Sequence, residues 1–229
     1  MIISQLGSLY YSTSISGQSF QSVVFQSIIY LSLVTLPLIV LGIWLGRKID
    51  LGAPLLSAIL LKQSETLKIF MRHAKLSILS GLFLGSVMLI IRFIAKPYLP
   101  QELPDYGFRG VLGGTLVSIG AAIGEEVWFR LGVLTIILWI VKRIFKKSSL
   151  QSSVVWVTIT IVALLFGVAH LPQLNSYGAT TTFAVWGTIL GNCIVGIFYG
   201  WCYWRLSLVA AIMAHFSVDL VLHVIPSLF

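Results

Sequence analysis

Three clusters of residues able to move a proton or hold a metal stand in apolar surroundings. The first is Glu125, Glu126 and Arg130 in GEEVWFRLG, residues 124–132, with GVLGGTLVSIGAAI before it and VLTIILWIV after it. A charged side chain at mid-bilayer costs about 2.5–3.5 kcal/mol, so each of the three needs a partner or water. Helix positions four apart share a face, which pairs Glu126 with Arg130. Glu125 points about 100° away from Glu126 and is left for a cavity. The second cluster is Phe166 and His170, four apart in FGVAH; the third is His215 and Asp219, four apart in HFSVD. Taken singly, each reads equally well as a structural salt bridge or a hydrogen-bonded core histidine. Taken together, three helices that each carry ionisable groups into lipid are most economically arranged when those groups meet. Two imidazoles and a carboxylate around a hydrated cavity suit either activation of water or ligation of a metal.

The elements that must position these groups follow from composition. Hydrophobic residues make up 58% of the 229 and charged residues 10%, against roughly 45–50% and about 25% in soluble domains. Apolar runs of about 20 residues, enough to span a bilayer, recur along the chain. The expectation is an all-α, polytopic helical membrane protein with about six transmembrane helices, at 22–45, 75–95, 110–141, 152–170, 181–203 and 207–225. The net charge of +8 belongs to loops between spans, and no aromatic-basic pattern points to nucleic acid. Arg47, Lys48, Lys62, Lys68, Arg72 and Lys75 follow the first span, Lys142, Arg143, Lys146 and Lys147 the third, and Arg205 the fifth. The alternate loops are poor in basic residues, which predicts basic loops in the cytoplasm facing anionic lipid and an N-terminus outside. It also predicts one long, tilted or kinked helix over 110–141, because two short ones would put the KRIFKK loop outside.

Residues 55–76 place Lys62, Glu65, Lys68, Arg72 and Lys75 at helical intervals on one face, which predicts an amphipathic helix on the cytoplasmic leaflet, with His73 solvated at the interface. Three glycine pairs four apart, Gly120/Gly124, Gly187/Gly191 and Gly196/Gly200, predict close helix packing in lipid. The first twenty residues carry no basic residue, so the charged n-region of a cleavable signal peptide is missing, and targeting is expected to rest on the first span. Cys193 and Cys202 suggest neither a disulfide framework nor a metal pair. Counted up from the cytoplasmic ends of their helices, Glu125 and His170 reach similar depths and His215 lies well below them.

The ordered trio Glu125-Glu126-Val127-Trp128-Phe129-Arg130, Phe166-Gly167-Val168-Ala169-His170 and His215-Phe216-Ser217-Val218-Asp219 resembles the EExxxR, FxxxH and HxxxN/D signature of the CPBP intramembrane proteases, the group of the CAAX prenyl endopeptidases and of bacteriocin-processing and immunity proteins. The resemblance covers roughly 108–225. It divides the chain into an N-terminal membrane region, 1–106, with two spans and the interfacial helix, and a catalytic membrane core, 107–229. Two positions depart from the signature: Leu131 follows the arginine where glycine is frequent, and Asp219 stands where asparagine is common.

The resemblance implies hydrolysis of a peptide bond of a membrane-associated protein or peptide, in the plasma membrane if the source is prokaryotic. Glu125 would be the base that activates water, His170 would hold that water, and Glu126, Arg130 and Phe166 would support them. His215 would stabilise the developing oxyanion or bind metal. An ionised Asp219 cannot donate a hydrogen bond to an oxyanion, so it is expected to orient His215. If zinc takes part, Glu125, His170 and His215 are its expected ligands; direct carboxylate–imidazole catalysis without a cofactor is preferred. His223, two turns after His215, is read as an interfacial side chain. Two other classes use similar residues: an ion or solute transporter with intramembrane carboxylates and histidines, and a non-catalytic immunity or scaffold member of the same fold.

Overall fold

The computed structural model describes residues 2–17, 19–63, 65–146 and 149–229. Ten α-helices follow in order among them: α1 Ile2–Ser16, α2 Phe20–Gly46, α3 Pro54–Leu60, α4 Thr66–Ala95, α5 Gly110–Glu125, α6 Thr135–Ile144, α7 Ser152–Val168, α8 Leu171–Ser176, α9 Thr182–Arg205 and α10 Leu208–Asp219. Five helical stretches are long and apolar enough to cross a membrane: Phe20–Gly46, Thr66–Tyr98, Ser152–Ser176, Thr182–Arg205 and Leu208–Leu228. The chain is a polytopic helical membrane protein. The expected span at 110–141 is helical throughout, but α5 and α6 are joined by a π-helical stretch, Glu126–Leu134. Six spans are reached only by counting this composite helix.

The π stretch lies within the span expected to be tilted or kinked. Its wider turn shifts backbone pairing by one residue, and Thr135 Oγ1 donates to the carbonyl of Arg130, five residues back, at 3.0 Å. A second π stretch, Leu220–Val224, follows Asp219 directly. Such insertions are frequent at functional sites, and here one begins at Glu126 and the other just after Asp219. Helix α2 rests on the first: a Cβ on Gly42 would collide with the backbone of Leu131. On the second, Gly114 of α5 lies against the His223 carbonyl in the same way.

Two ends of the bundle are distinguished by their contacts. At the basic end, Lys142 Nζ donates to the Lys48 carbonyl at 3.1 Å, Gly52 N–H donates to Tyr203 Oη at 2.9 Å, and Trp156 meets Trp204 edge-on. At the charge-poor end, Arg109 Nη2 donates to Tyr177 Oη at 3.1 Å, Phe108 packs edge-on against Tyr177, and Tyr98 lies against Phe183. Lys147, expected in the basic loop, lies outside the described residues.

The structure corrects several expectations. Residues 55–76 are not one helix. Helix α3 ends at Leu60, Lys62 and Glu65 take left-handed backbone angles, and Thr66 onward belongs to the long span. The charge periodicity therefore marks the solvated start of a membrane helix, where Lys68 pairs with Glu65 at 2.8 Å. His73 is half-buried, and its Nδ1 lacks a hydrogen-bond partner among the described residues. The uncharged N-terminal stretch is helical: α1 runs antiparallel to α5, with Gln5 Nε2 donating to the Gly120 carbonyl and Tyr11 Oη to the Arg109 carbonyl.

The glycine pairs divide. Gly200 faces Ile159 and Gly196 faces Ala163, so α9 and α7 are in tight contact there. Gly124 faces Gln5 of α1. A Cβ on Gly187 would meet nothing within 4 Å, and one on Gly191 only the Met88 methyl at 3.5 Å. That pair faces open space. The close approach that spacing had assigned to it is made instead by Gly81 and Gly85 of α4, which rest on Ala214, Ser217, Val218 and Val221 of the last span.

Candidate active site

The three motif-bearing stretches meet between α5, α7, α9 and α10. Glu126 and Arg130 are fully buried and form an ion pair at 3.2 Å, as their spacing predicted. Arg130 Nη2 also donates to the Gly196 carbonyl at 2.9 Å, and its guanidinium lies over Phe166 and Tyr199 at 4.7 and 5.3 Å. The bare backbone of Gly196 permits that approach, since a Cβ there would stand 3.3 Å from the same nitrogen. Glu126 is more than a counter-charge to Arg130: its Oε1 accepts a 2.8 Å hydrogen bond from His215 Nδ1.

That bond places a proton on Nδ1 and fixes the ring's orientation. With Nδ1–H given to Glu126, His215 turns Nε2 toward Glu125 Oε2 at 3.8 Å and Asp219 Oδ2 at 3.7 Å. Tyr199 stacks on the ring, centroids 4.4 Å apart and planes 12° apart, which holds its plane. His170 is set in a similar manner by backbone. A carbonyl only accepts, so the 2.8 Å contact with the Phe166 carbonyl puts the proton on Nδ1. The same bond folds the ring back along α7, and Nε2 stands 3.9 Å from Glu125 Oε2. Nε2 of His170 and Nε2 of His215 reach Glu125 at nearly equal distances despite the depth difference that helix lengths implied.

Glu125 is placed differently from its neighbour. It keeps about 23% of its side chain accessible, and Oε2 has no hydrogen-bond partner among the described residues. It borders a cavity of about 230 Å³ together with Phe166, His170, Asn192, His215 and Asp219. A larger recess of about 430 Å³ between α1 and α2 is lined by Gln5, Ser8, Gln26, Ser27 and apolar or tyrosine neighbours, and holds no carboxylate or imidazole. The ionisable groups of the three motifs therefore line the smaller space.

All the residues expected at the site come together, with two changes of geometry. Asp219 does not hold His215 through Nδ1, because Glu126 occupies that position; Asp219 instead stands beside Nε2, the nitrogen that faces Glu125. His223 is not an outward interfacial side chain. It lies edge-on to Tyr106 at 5.8 Å and lines the cavity, because the π stretch that contains it turns it inward. Sequence reasoning missed Asn192 and Tyr199. A signal was present: Thr188, Asn192, Val195 and Tyr199 recur at three- and four-residue steps in an otherwise apolar helix, and that face lines the cavity.

Glu125, His170 and His215 are donors of the right kind for zinc. Their polar atoms stand 3.8–3.9 Å apart across Glu125, wider than the roughly 3.3 Å edge of a tetrahedral site with bonds near 2.0–2.1 Å. Among the described residues no group of three His, Cys, Asp or Glu is spaced to hold a metal ion, so no catalytic step is drawn through one.

Comparison with known proteins bears on residues 107–221, which match a family model described as type II CAAX prenyl endopeptidase Rce1-like. The matched segment contains all three motifs. No curated protein and no solved structure matches the chain.

Proposed function

Because the chain belongs to the type II CAAX prenyl endopeptidase Rce1-like family, we propose that it is an intramembrane endopeptidase that hydrolyses a peptide bond of a membrane-associated protein or peptide with water activated by Glu125. The family supports a protease. The observation that carries the finer reading is the Glu125 side chain, which borders the cavity and holds its buried Oε2 3.9 and 3.8 Å from two imidazole nitrogens, with no hydrogen-bond partner among the described residues. A water bridging Glu125 Oε2 and either nitrogen would meet both at an ordinary hydrogen-bond length of about 2.8 Å.

In this mechanism the lone pair of His170 Nε2 accepts a hydrogen bond from the water and Glu125 takes its proton. The resulting hydroxide attacks the scissile carbonyl carbon, and the carbonyl π electrons move onto oxygen. His215 Nε2–H stabilises that oxyanion; Glu126 at 2.8 Å and Asp219 at 3.7 Å supply counter-charge to a positive ring. The tetrahedral intermediate collapses by breaking the C–N bond, and Glu125 returns its proton to the leaving amine. Arg130, Phe166 and Tyr199 are positioning residues: they seat Glu126 and His215 without facing the reacting atoms.

The test compares membrane peptides by mass spectrometry from cells carrying the wild-type protein or Glu125→Gln. Products present with the wild type and missing with the variant identify the substrate and support the assignment. Glu125→Gln protein that folds and still yields every product removes Glu125 as the base. Chelation bears on the metal: activity is expected to survive it, and a loss restored by zinc alone would replace direct carboxylate catalysis with zinc held by Glu125, His170 and His215.

A further inference from the structure

The site cavity does not open toward the basic loops. It runs from Glu125 and His215 past Asn192 to Arg109, Gln173, Tyr177 and His223, which belong to the charge-poor end. A second cavity of about 320 Å³ shares Arg109, Asn192 and His223 with the first and continues between α4 and α9. These two helices barely touch one another. The gap is bounded by Met88, Ile91 and Ala95 on one side and by Phe183, Gly187 and Gly191 on the other. The glycines that fail to pack against anything are therefore the wall of an apolar groove that joins the lipid-facing surface to the carboxylate.

Ten of the fifteen Lys and Arg lie at the other end: Arg47, Lys48, Lys62, Lys68, Arg72, Lys75, Lys142, Arg143, Lys146 and Arg205. Arg92, Lys96 and Arg109 stand at the cavity end, where Glu102 and Asp105 offset two of them. Short loops with excess Lys and Arg stay in the cytoplasm. We infer that the chamber opens on the extracytoplasmic half of the membrane, and that its substrate is an extended, membrane-anchored peptide segment which reaches Glu125 from that side through the α4–α9 groove. This rests on the hydrolase reading above. From Met88 to Ala95 the groove is about 10 Å long at 1.5 Å per helical residue. That accommodates about three residues of extended chain at roughly 3.3 Å each. The occupant is identified by continuity, since the groove and the reactive chamber share one lining.

Sidedness is testable without a substrate. The native thiols are buried, so single added cysteines report. A membrane-impermeant maleimide should label Gln101→Cys and Asn175→Cys on intact cells, and Gln63→Cys only after lysis. The reverse pattern overturns the inference and leaves the hydrolase reading standing. Cut sites mapped by comparison with Glu125→Gln should fall on the extracytoplasmic flank of substrate membrane segments; cuts on the cytoplasmic flank overturn it equally. If no product depends on Glu125, the hydrolase reading fails and the inference falls with it. Gly187→Phe should lower cleavage of a mapped substrate at least about tenfold while the thermal melt is unchanged, because it fills the groove and meets no neighbour. Unchanged cleavage removes the groove as the route.

Discussion

The two halves of the core differ in how they treat polar groups, and the boundary runs between adjacent residues. Toward the basic end, Glu126, Arg130, Thr135 and Tyr203 are buried and linked: Arg130 to Glu126, Thr135 to the Arg130 carbonyl, and Tyr203 to Thr135 at 2.6 Å. Toward the charge-poor end, Glu125, His170 and Asn192 border a cavity, and about 23% of the Glu125 side chain stays accessible where Glu126 has none. Sealed polar groups in low dielectric rigidify a core; a carboxylate beside a cavity can meet water and substrate. The difference teaches that Glu125 and Glu126, identical in type and adjacent in sequence, have opposite tasks. In the proposed mechanism one holds the site together and the other works in it.

The largest expected effect breaks the comparison on the open side. Glu125→Gln should lower the cleavage rate by about 10²–10⁴-fold, the usual contribution of a general base, with little change in the melt. A variant that unfolds would place Glu125 in the sealed half. On the sealed side the readout reverses. Arg130→Ala strands a buried carboxylate and should cost about 3–5 kcal/mol of stability, seen as a lower melting temperature in detergent. An Arg130→Ala protein that melts normally but is inactive would move the boundary beyond Arg130.

Glycines sharpen the same contrast at smaller magnitude. Helix α9 carries Gly187 in the open half and Gly200 in the sealed half. Gly200→Ala forces its Cβ to 2.7 Å from Ile159 and should destabilise by about 1–3 kcal/mol. Gly187→Ala meets nothing and should be neutral or gain up to about 1 kcal/mol from helix propensity. Equal effects at the two positions would mean that α4 and α9 close on each other and that the groove is filled.

Much of this was legible in the sequence where a single physical rule dominates. Span ends came within a few residues for α2, α7 and α9, because long apolar runs have one economical fate in lipid. The convergence of Glu125, His170 and His215 was legible because charges in lipid must meet something. What was not legible depends on tertiary contact. Gly187/Gly191 and Gly196/Gly200 have the same spacing, and only the neighbouring helix decides which pair packs. Residues 55–76 carry a periodicity that continues through a break at Lys62 and Glu65, because charge patterning does not record a left-handed turn. The π stretches leave no mark on an α-helical reading, and without the second one His223 could not be turned toward the cavity.

The smallest expected effect decides which carboxylate orients His215. Had Asp219 held the imidazole, as the HxxxD spacing suggests, Asp219→Asn would replace a carboxylate acceptor with an amide and loosen the ring. In the structure Nδ1 is already engaged by Glu126 at 2.8 Å and Asp219 stands 3.7 Å from Nε2. An asparagine there keeps shape and gains two donors that can face the oxyanion. Activity of Asp219→Asn, measured on the mapped substrate, should stay within a few-fold of the wild type, whereas Glu126→Gln should lose about as much as truncation of a buried pair implies, roughly 3–5 kcal/mol shared between stability and rate. The ordering is what matters. If Asp219→Asn is the dead variant and Glu126→Gln the tolerant one, the imidazole is held from the open half after all, and the line between scaffold and chemistry passes through His215 and not between the two glutamates.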